Sequence, residues 1–137
     1  MPLSFISWWA VSLPSLVKGK IMSTNVWVKC GRVYNLDPNG AGLTATGVTP
    51  RIYKDSPYAT FQAYGATTAS TGAATVVIEG SNVDDPNTFV SLGTLTLTLG
   101  TTTSAAGLAT TAPWKYVRAN VSSISGTGAT VYVTMGV

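Results

Sequence analysis

The chain has 137 residues, the size of one ordinary domain, and only 9% of them are charged where about 25% is usual. Hydrophobic residues make up 45%, which argues against intrinsic disorder, and the absence of histidine removes the commonest general base and metal ligand. One cysteine excludes an internal disulfide and a cysteine-cluster zinc site. We therefore expect no enzyme, no cofactor and no metal. The net charge is +3, of which Lys18 and Lys20 contribute two; the other lysines and arginines are dispersed, so we also expect no nucleic-acid partner.

Residues 3–17 form an apolar run that two lysines follow. Its large side chains include Phe5, Ile6, Trp8 and Trp9. A signal peptide needs its positive charge before such a run, and a transmembrane helix needs about 20 apolar residues without the proline found here. A misassigned start, with the natural one at Met22, is a third alternative. We favour an extended N-terminal arm over residues 1–22 that docks on a neighbouring subunit, with no membrane contact.

From residue 23 onward, threonine and glycine abound and the pattern is typical of β-structure. The clearest strand is 94–99, where three leucines alternate with three threonines, which predicts one buried and one exposed face. Residues 129–135 alternate too, which buries Val131 and Val133 and turns Tyr132 to the opposite face. Further strands are predicted at 26–34, 58–64, 73–79, 88–92 and 115–121.

Turn-forming residues separate these strands at 37–40, 81–87 and 125–128. We expect the last of these turns to close a hairpin between 116–124 and 129–137. The small, polar stretch 101–112 predicts either a flexible loop or a flat strand of weak register. Six to eight short strands predict an all-β fold, a single antiparallel β-sandwich or jelly-roll-like domain over residues 23–137.

Candidate chemistry is sparse. The carboxylates are Asp37, Asp55, Glu79, Asp84 and Asp85, and we expect none of them to form the facing pair that glycoside hydrolysis needs. The oxygen-rich loop 82–87 offers calcium ligands in principle, but a solvated loop with Asx turns is the simpler interpretation. Cys30, in a strand-like run, is interpreted as a small buried residue.

The aromatic residues and one arginine are candidate contact residues. Trp114 is expected in the core, whereas Tyr132 is expected on an exposed face or at an interface. Arg118 alternates with Val117, which favours a strand-surface or interface position. The sequence leaves open whether such aromatic residues would contact a sugar or another protein.

Four segments carry a family resemblance. They are Ala-Thr-Phe-Gln-Ala at 59–63, Val-Val-Ile-Glu-Gly-Ser-Asn at 76–82, Phe-Val-Ser-Leu-Gly-Thr at 89–94 and the run from Ala112 to Val121, followed by the final stretch 123–131. In this order, over residues 58–137, they resemble small virion proteins of tailed bacteriophages. The order also looks loosely like discoidin-type and carbohydrate-binding jelly rolls, in which the position of Phe89 is often tryptophan.

The resemblance implies a capsid decoration or cement protein that binds the outside of a phage head and bridges or stabilises capsomers. Its partners would be the major capsid protein and further copies of itself, with a trimer as one candidate oligomer. It would be synthesised in the host bacterial cytoplasm and located on the capsid surface of the virion. The expected interface residues are Phe5, Ile6, Trp8, Trp9, Tyr132 and Arg118. The alternatives are a carbohydrate-binding module of a tail fibre or adhesin, and a head–tail connector subunit.

Overall fold

The computed structural model describes residues 32–137, and these residues form nine β-strands and one short 3-10 turn at Pro86–Thr88. The strands are β1 (Val33–Asn35), β2 (Gly47–Val48), β3 (Ile52–Tyr53), β4 (Ala59–Ala66), β5 (Ala69–Ser81), β6 (Val90–Leu99), β7 (Ser104–Thr110), β8 (Tyr116–Thr127) and β9 (Thr130–Gly136). The expected N-terminal arm, residues 1–22, and Cys30 lie outside the described residues.

The strands form two antiparallel sheets. The four-stranded sheet has the order β1-β9-β4-β7, and the five-stranded sheet has the order β2-β8-β5-β6, with β3 also pairing with β8. Because β2 and β3 occupy the same edge of β8, they act as one interrupted strand. The pairs β1–β9, β2/β3–β8, β4–β7 and β5–β6 are then nested inside one another along the chain. Such nesting is the connectivity of a jelly roll, so the predicted all-β sandwich is confirmed.

The core lies between the two sheets and is built from alternate residues of each long strand. In β6, Leu95, Leu97 and Leu99 are buried, while the threonines between them are exposed, as the alternation predicts. In β9, Val131, Val133 and Met135 are buried in the same way. The remaining core side chains include Phe61, Ala63, Ala74, Val76, Ile78, Val117, Ala119 and Val121. Period-two burial on both sheets is the reason that this sequence folds as a sandwich.

The predicted final hairpin is wrong. Strand β8 pairs with β2, β3 and β5, whereas β9 pairs with β1 and β4, so the two strands belong to different sheets. The turn itself exists, and Gly128 adopts a positive φ of 66° there. It carries the chain across the sandwich, because the inward faces of β8 and β9 both bury apolar residues and must pack against each other across the core.

Other strand boundaries differ from the sequence prediction in informative ways. Residues Ser104–Thr110 of the stretch 101–112 form β7. Of the two predictions for this stretch, a flexible loop or a flat strand, the strand is therefore confirmed for its central residues. The predicted strands 88–92 and 94–99 form one strand, β6, and the register with β5 shifts beside Gly93. Strands β2 and β3 were not predicted, because two residues are too short to show a period.

A structured turn links β1 to the next segment, as the sequence predicts. The Asp37 carbonyl accepts a hydrogen bond from Gly40 N at 3.1 Å, and its carboxylate accepts from the backbone nitrogens of Asn39 at 3.2 Å and Gly42 at 2.7 Å. Leu43 then exchanges backbone hydrogen bonds with Val131. The turn therefore holds residues 36–43 along the edge of β9.

Candidate interaction surfaces

The outer face of the four-stranded sheet carries no charged side chain within residues 32–137. Strand register and alternating burial assign its outward residues. They are Val33, Asn35, Thr60, Gln62, Tyr64, Ala66, Ala105, Gly107, Ala109, Thr130, Tyr132, Thr134 and Gly136, and we call this surface the uncharged face. Strand β7 contributes only alanine and glycine to this face, so no large side chain protrudes there. Depletion of charge is typical of the centre of protein–protein interfaces.

Two tyrosines form the aromatic centre of the uncharged face. Tyr64 and Tyr132 are cross-strand partners on β4 and β9, and their rings stack with centroids 5.2 Å apart and an interplanar angle of 20°. A groove of about 250 Å³ lies beside them, toward the loop at Thr67. A Cβ at Gly42 would come within 3.1 Å of the Tyr132 ring, so glycine is needed where the backbone passes this aromatic pair. The predicted outward orientation of Tyr132 is confirmed.

Charge is concentrated at one end of the sandwich. Apart from Arg32 and Asp37, the charged residues of the described part lie in or near the loops 54–58, 82–89 and 111–115. The opposite end consists of the connections at 67–68, 100–103 and 128–129, which contain threonine, glycine and alanine and no charged residue. Within residues 32–137, the sandwich therefore has a charged end and an uncharged end, a difference that is not visible from the order of the sequence.

Arg118 lies at the centre of a covered polar cluster on the outer face of the five-stranded sheet. Its Nε donates to Glu79 Oε1 at 2.7 Å, and Asn120 Nδ2 donates to Glu79 Oε2 at 3.1 Å. The Phe89 ring covers the guanidinium, with its centroid 4.1 Å from Cζ. Only 13% of the Arg118 side chain and 14% of the Glu79 side chain are exposed. Arg118 is thus on the strand surface, as predicted, but it is largely covered and is paired with Glu79 within the molecule.

Lys54 is a buried cation at the charged end. The residue is 2% exposed, and its Nζ donates to the backbone carbonyls of Ser56 and, at 3.1 Å, Ala112. Burial, and secondarily the positive charge of Lys115, lower the pKa of Lys54 below its ordinary value of 10.5. The ammonium group joins the loops before β4 and after β7, which indicates a structural role.

The loop between β5 and β6 uses its polar side chains internally. Asp85 Oδ1 accepts from Asn87 N at 2.9 Å, which is the expected Asx turn, and Asn82 Oδ1 accepts from Lys115 N at 3.2 Å. Asp84 forms an ion pair with Arg51. No group of three or more acidic, histidine or cysteine side chains that could hold a metal ion is found among residues 32–137. The calcium alternative therefore gains no support from the loop.

The predicted contact residues do not form one surface. Tyr132 lies on the four-stranded sheet and Arg118 on the outer face of the other sheet, while Phe5, Ile6, Trp8 and Trp9 lie outside the described residues. Trp114 is partly buried against the core and packs over Gly80, where an added Cβ would lie 3.1 Å from its Cγ. Its predicted core position is confirmed, and this leaves little of its ring for a sugar.

Sequence reasoning missed Tyr53 and its neighbours. Tyr53 is 58% exposed on β3, and its ring meets the edge of Tyr116 at a centroid distance of 5.7 Å. Proline, arginine and two aromatic residues within 50–58 were the available signal, but without the register of β3 on β8 they indicated no particular surface.

Comparison with protein-family models, curated proteins and solved structures found no match to this chain. Within residues 32–137, no helix has the length and apolar character that crossing a membrane requires.

Proposed function

We propose that this chain is a non-enzymatic structural protein of a tailed-phage virion, a capsid decoration or cement protein that binds the outside of the head. It would bridge or stabilise capsomers, contacting the major capsid protein and further copies of itself. The uncharged face is the observation that carries this proposal. A broad sheet surface without charge, with two stacked tyrosines at its centre, has the composition of an interface core.

The fold supports the proposal by analogy. Jelly rolls recur in viral capsid and lectin domains, so a fold of this type is compatible with a virion subunit and with a sugar-binding module. The analogy with capsid and lectin domains favours a binding protein. The side chains exposed on its surface then determine which partner it binds.

Four of the five carboxylates are engaged in contacts within the molecule, which supports a non-enzymatic role. Glu79 is bonded to Arg118 and Asn120, Asp84 is paired with Arg51, and Asp37 and Asp85 accept backbone hydrogen bonds. These acids stabilise turns and strand pairs. Acid–base catalysis requires a group positioned toward a substrate, and the chain has no histidine to provide one.

The apolar N-terminal sequence supplies the second part of the proposal. Its aromatic residues, Phe5, Trp8 and Trp9, are of the type that anchors interfaces, and burying them on a neighbour would offset the entropy lost when an extended segment is ordered. Deleting residues 1–21 should abolish particle binding and leave the sandwich folded. Full binding by the shortened chain would refute the arm.

A matched pair of charge substitutions tests the uncharged face. Gln62→Glu adds a negative charge on β4 with almost no change of shape, and Thr96→Glu adds the same charge on β6, on the outer face of the other sheet. Both side chains are exposed, so each change should alter the free energy of unfolding by less than about 0.5 kcal/mol.

Each variant is mixed with virions that lack the protein, and the bound fraction is measured by co-sedimentation. We expect Gln62→Glu to weaken binding at least about tenfold, since an unpaired charge would be buried at the contact. Thr96→Glu should bind as the wild type does. Equal binding by both variants would refute the role of the uncharged face, and an absence of binding by the wild type would refute the virion proposal.

A further inference from the structure

A second surface, at the charged end, has a different character from the uncharged face. There, Pro50, Arg51, Tyr53, Asp84 and Tyr116 line an open groove of about 420 Å³. The groove combines two tyrosine rings with an arginine–aspartate ion pair. A concave site with aromatic walls and a few convergent polar groups is the usual form of a ligand site.

The jelly roll brings these residues together from three segments. Strand β3 pairs with β8 so that Tyr53 lies directly opposite Tyr116, with both side chains on the outer face of the sheet. Arg51 precedes β3, and its partner Asp84 comes from the loop between β5 and β6. The same loop is held against β8 because Asn82 accepts a hydrogen bond from the backbone of Lys115.

The geometry of the tyrosine pair favours a sugar over an extended peptide. The rings meet edge to face, at an interplanar angle of 69°, so they present one open aromatic surface and not two parallel ridges. Proline-rich peptides dock into slots between aromatic ridges. A pyranose ring instead places its apolar C–H face flat on a single aromatic ring, and its neighbouring hydroxyls can then bond to planar groups such as guanidinium and carboxylate.

The charge of the groove favours an anionic ligand. The described part of the chain contains two ion pairs, Arg51 with Asp84 and Arg118 with Glu79. Lys115 belongs to neither pair, and its Nζ lies 5.9 Å from the centroid of the Tyr53 ring. Arg51 and Asp84 balance each other, so Lys115 provides the positive charge beside the Tyr53 ring. A carboxylate on the ligand would complement that charge.

We propose that the groove at Tyr53 and Tyr116 binds an acidic saccharide, one that carries a hexuronate or sialate residue. Tyr53 provides the stacking surface, Arg51 and Asp84 bond to ring hydroxyls, and Lys115 pairs with the carboxylate. This site lies on the sheet opposite the uncharged face, so it is independent of the proposed attachment to a phage head.

The test uses the isolated full-length chain on an array of uronate- and sialate-containing oligosaccharides, each printed beside its neutral parent. We expect binding to at least one acidic glycan in preference to its parent. Affinity for that glycan is then measured by titration calorimetry. Tyr53→Ala should weaken it at least about tenfold, as truncation of an aromatic anchor does. Lys115→Gln should abolish the preference for the acidic form.

The matched control is Tyr132→Ala, which removes one tyrosine of the stacked pair on the uncharged face and should leave glycan affinity unchanged. Circular dichroism and thermal melting of each variant confirm that it is folded. Binding of no acidic glycan, equal binding of acidic and neutral forms, or affinity that survives Tyr53→Ala would each overturn the proposal. Binding of a proline-rich peptide at the same tyrosines, without any glycan, would overturn the ligand class. The assay contains no virions, so its failure is distinct from failure of the virion proposal.

Discussion

Removal of Arg118 should destabilise the sandwich far more than its position on the outer face of a sheet suggests. Arg118→Met preserves the apolar stem but leaves the Glu79 carboxylate covered, with Asn120 as its remaining side-chain partner. Removing one partner of a fully buried ion pair costs about 3–5 kcal/mol. About one seventh of each side chain is exposed here, so we expect a smaller loss of about 2–3 kcal/mol, which includes the contact between the guanidinium and Phe89.

Urea denaturation followed by tryptophan fluorescence measures this loss, and a fall in melting temperature of about 7–10 °C should accompany it. The double variant Arg118→Met with Glu79→Gln removes both charges and should recover at least half of the lost stability. The prediction is refuted if the free energy of unfolding of Arg118→Met lies within about 0.5 kcal/mol of the wild-type value. It is also refuted if the effects of Arg118→Met and Glu79→Gln on this free energy simply add.

Three further substitutions test the core, a turn and the buried lysine. Leu97→Ala should cost about 2–5 kcal/mol in chemical denaturation, whereas Thr96→Ala, on the opposite face of β6, should cost less than about 0.5 kcal/mol, and similar values would contradict the assigned faces. Gly128→Ala should cost about 1–2 kcal/mol, because its φ is +66° and the new Cβ would clash with the Thr68 side chain; an unchanged melting temperature would contradict this geometry. Lys54 has a lowered pKa in the folded state, so the cost of burying its charge is fully present below its folded pKa and disappears above its ordinary value of 10.5. The stability of the wild type should therefore rise relative to that of Lys54→Met as the pH increases from the folded pKa of Lys54 toward 10.5, by at most about 1.4 kcal/mol per pH unit, and a stability difference that stays constant with pH would refute it.

The faces of the long strands could be predicted because burial repeats every two residues. The alternation at 94–99 predicts which side of β6 is buried, and the same pattern in β9 places Tyr132 outward. The pairing of strands could not be predicted in this way. A short glycine turn between two strands suggests a hairpin, but β8 and β9 face each other across the core, and only the whole set of buried faces decides that arrangement.

The two candidate surfaces depended on information that is not local in the sequence. The uncharged face combines four strands from different parts of the chain, and its lack of charge is visible only once their register is known. The groove pairs Arg51 with Asp84 and Tyr53 with Tyr116, contacts that the short strand β3 makes possible. The residue types within 50–58 predicted no particular surface, because the jelly-roll connectivity determines which partners they meet.

Electron microscopy of intact virions, labelled with gold-conjugated antibody against residues 32–137, tests the proposed function most directly. A decoration protein should give label distributed over the head surface, and this label should be lost from particles assembled without the protein. Label confined to the tail tip would instead indicate an adhesin, and label at a single vertex would indicate a connector. Particles that carry no label, with the protein free in the lysate, would contradict a virion role altogether.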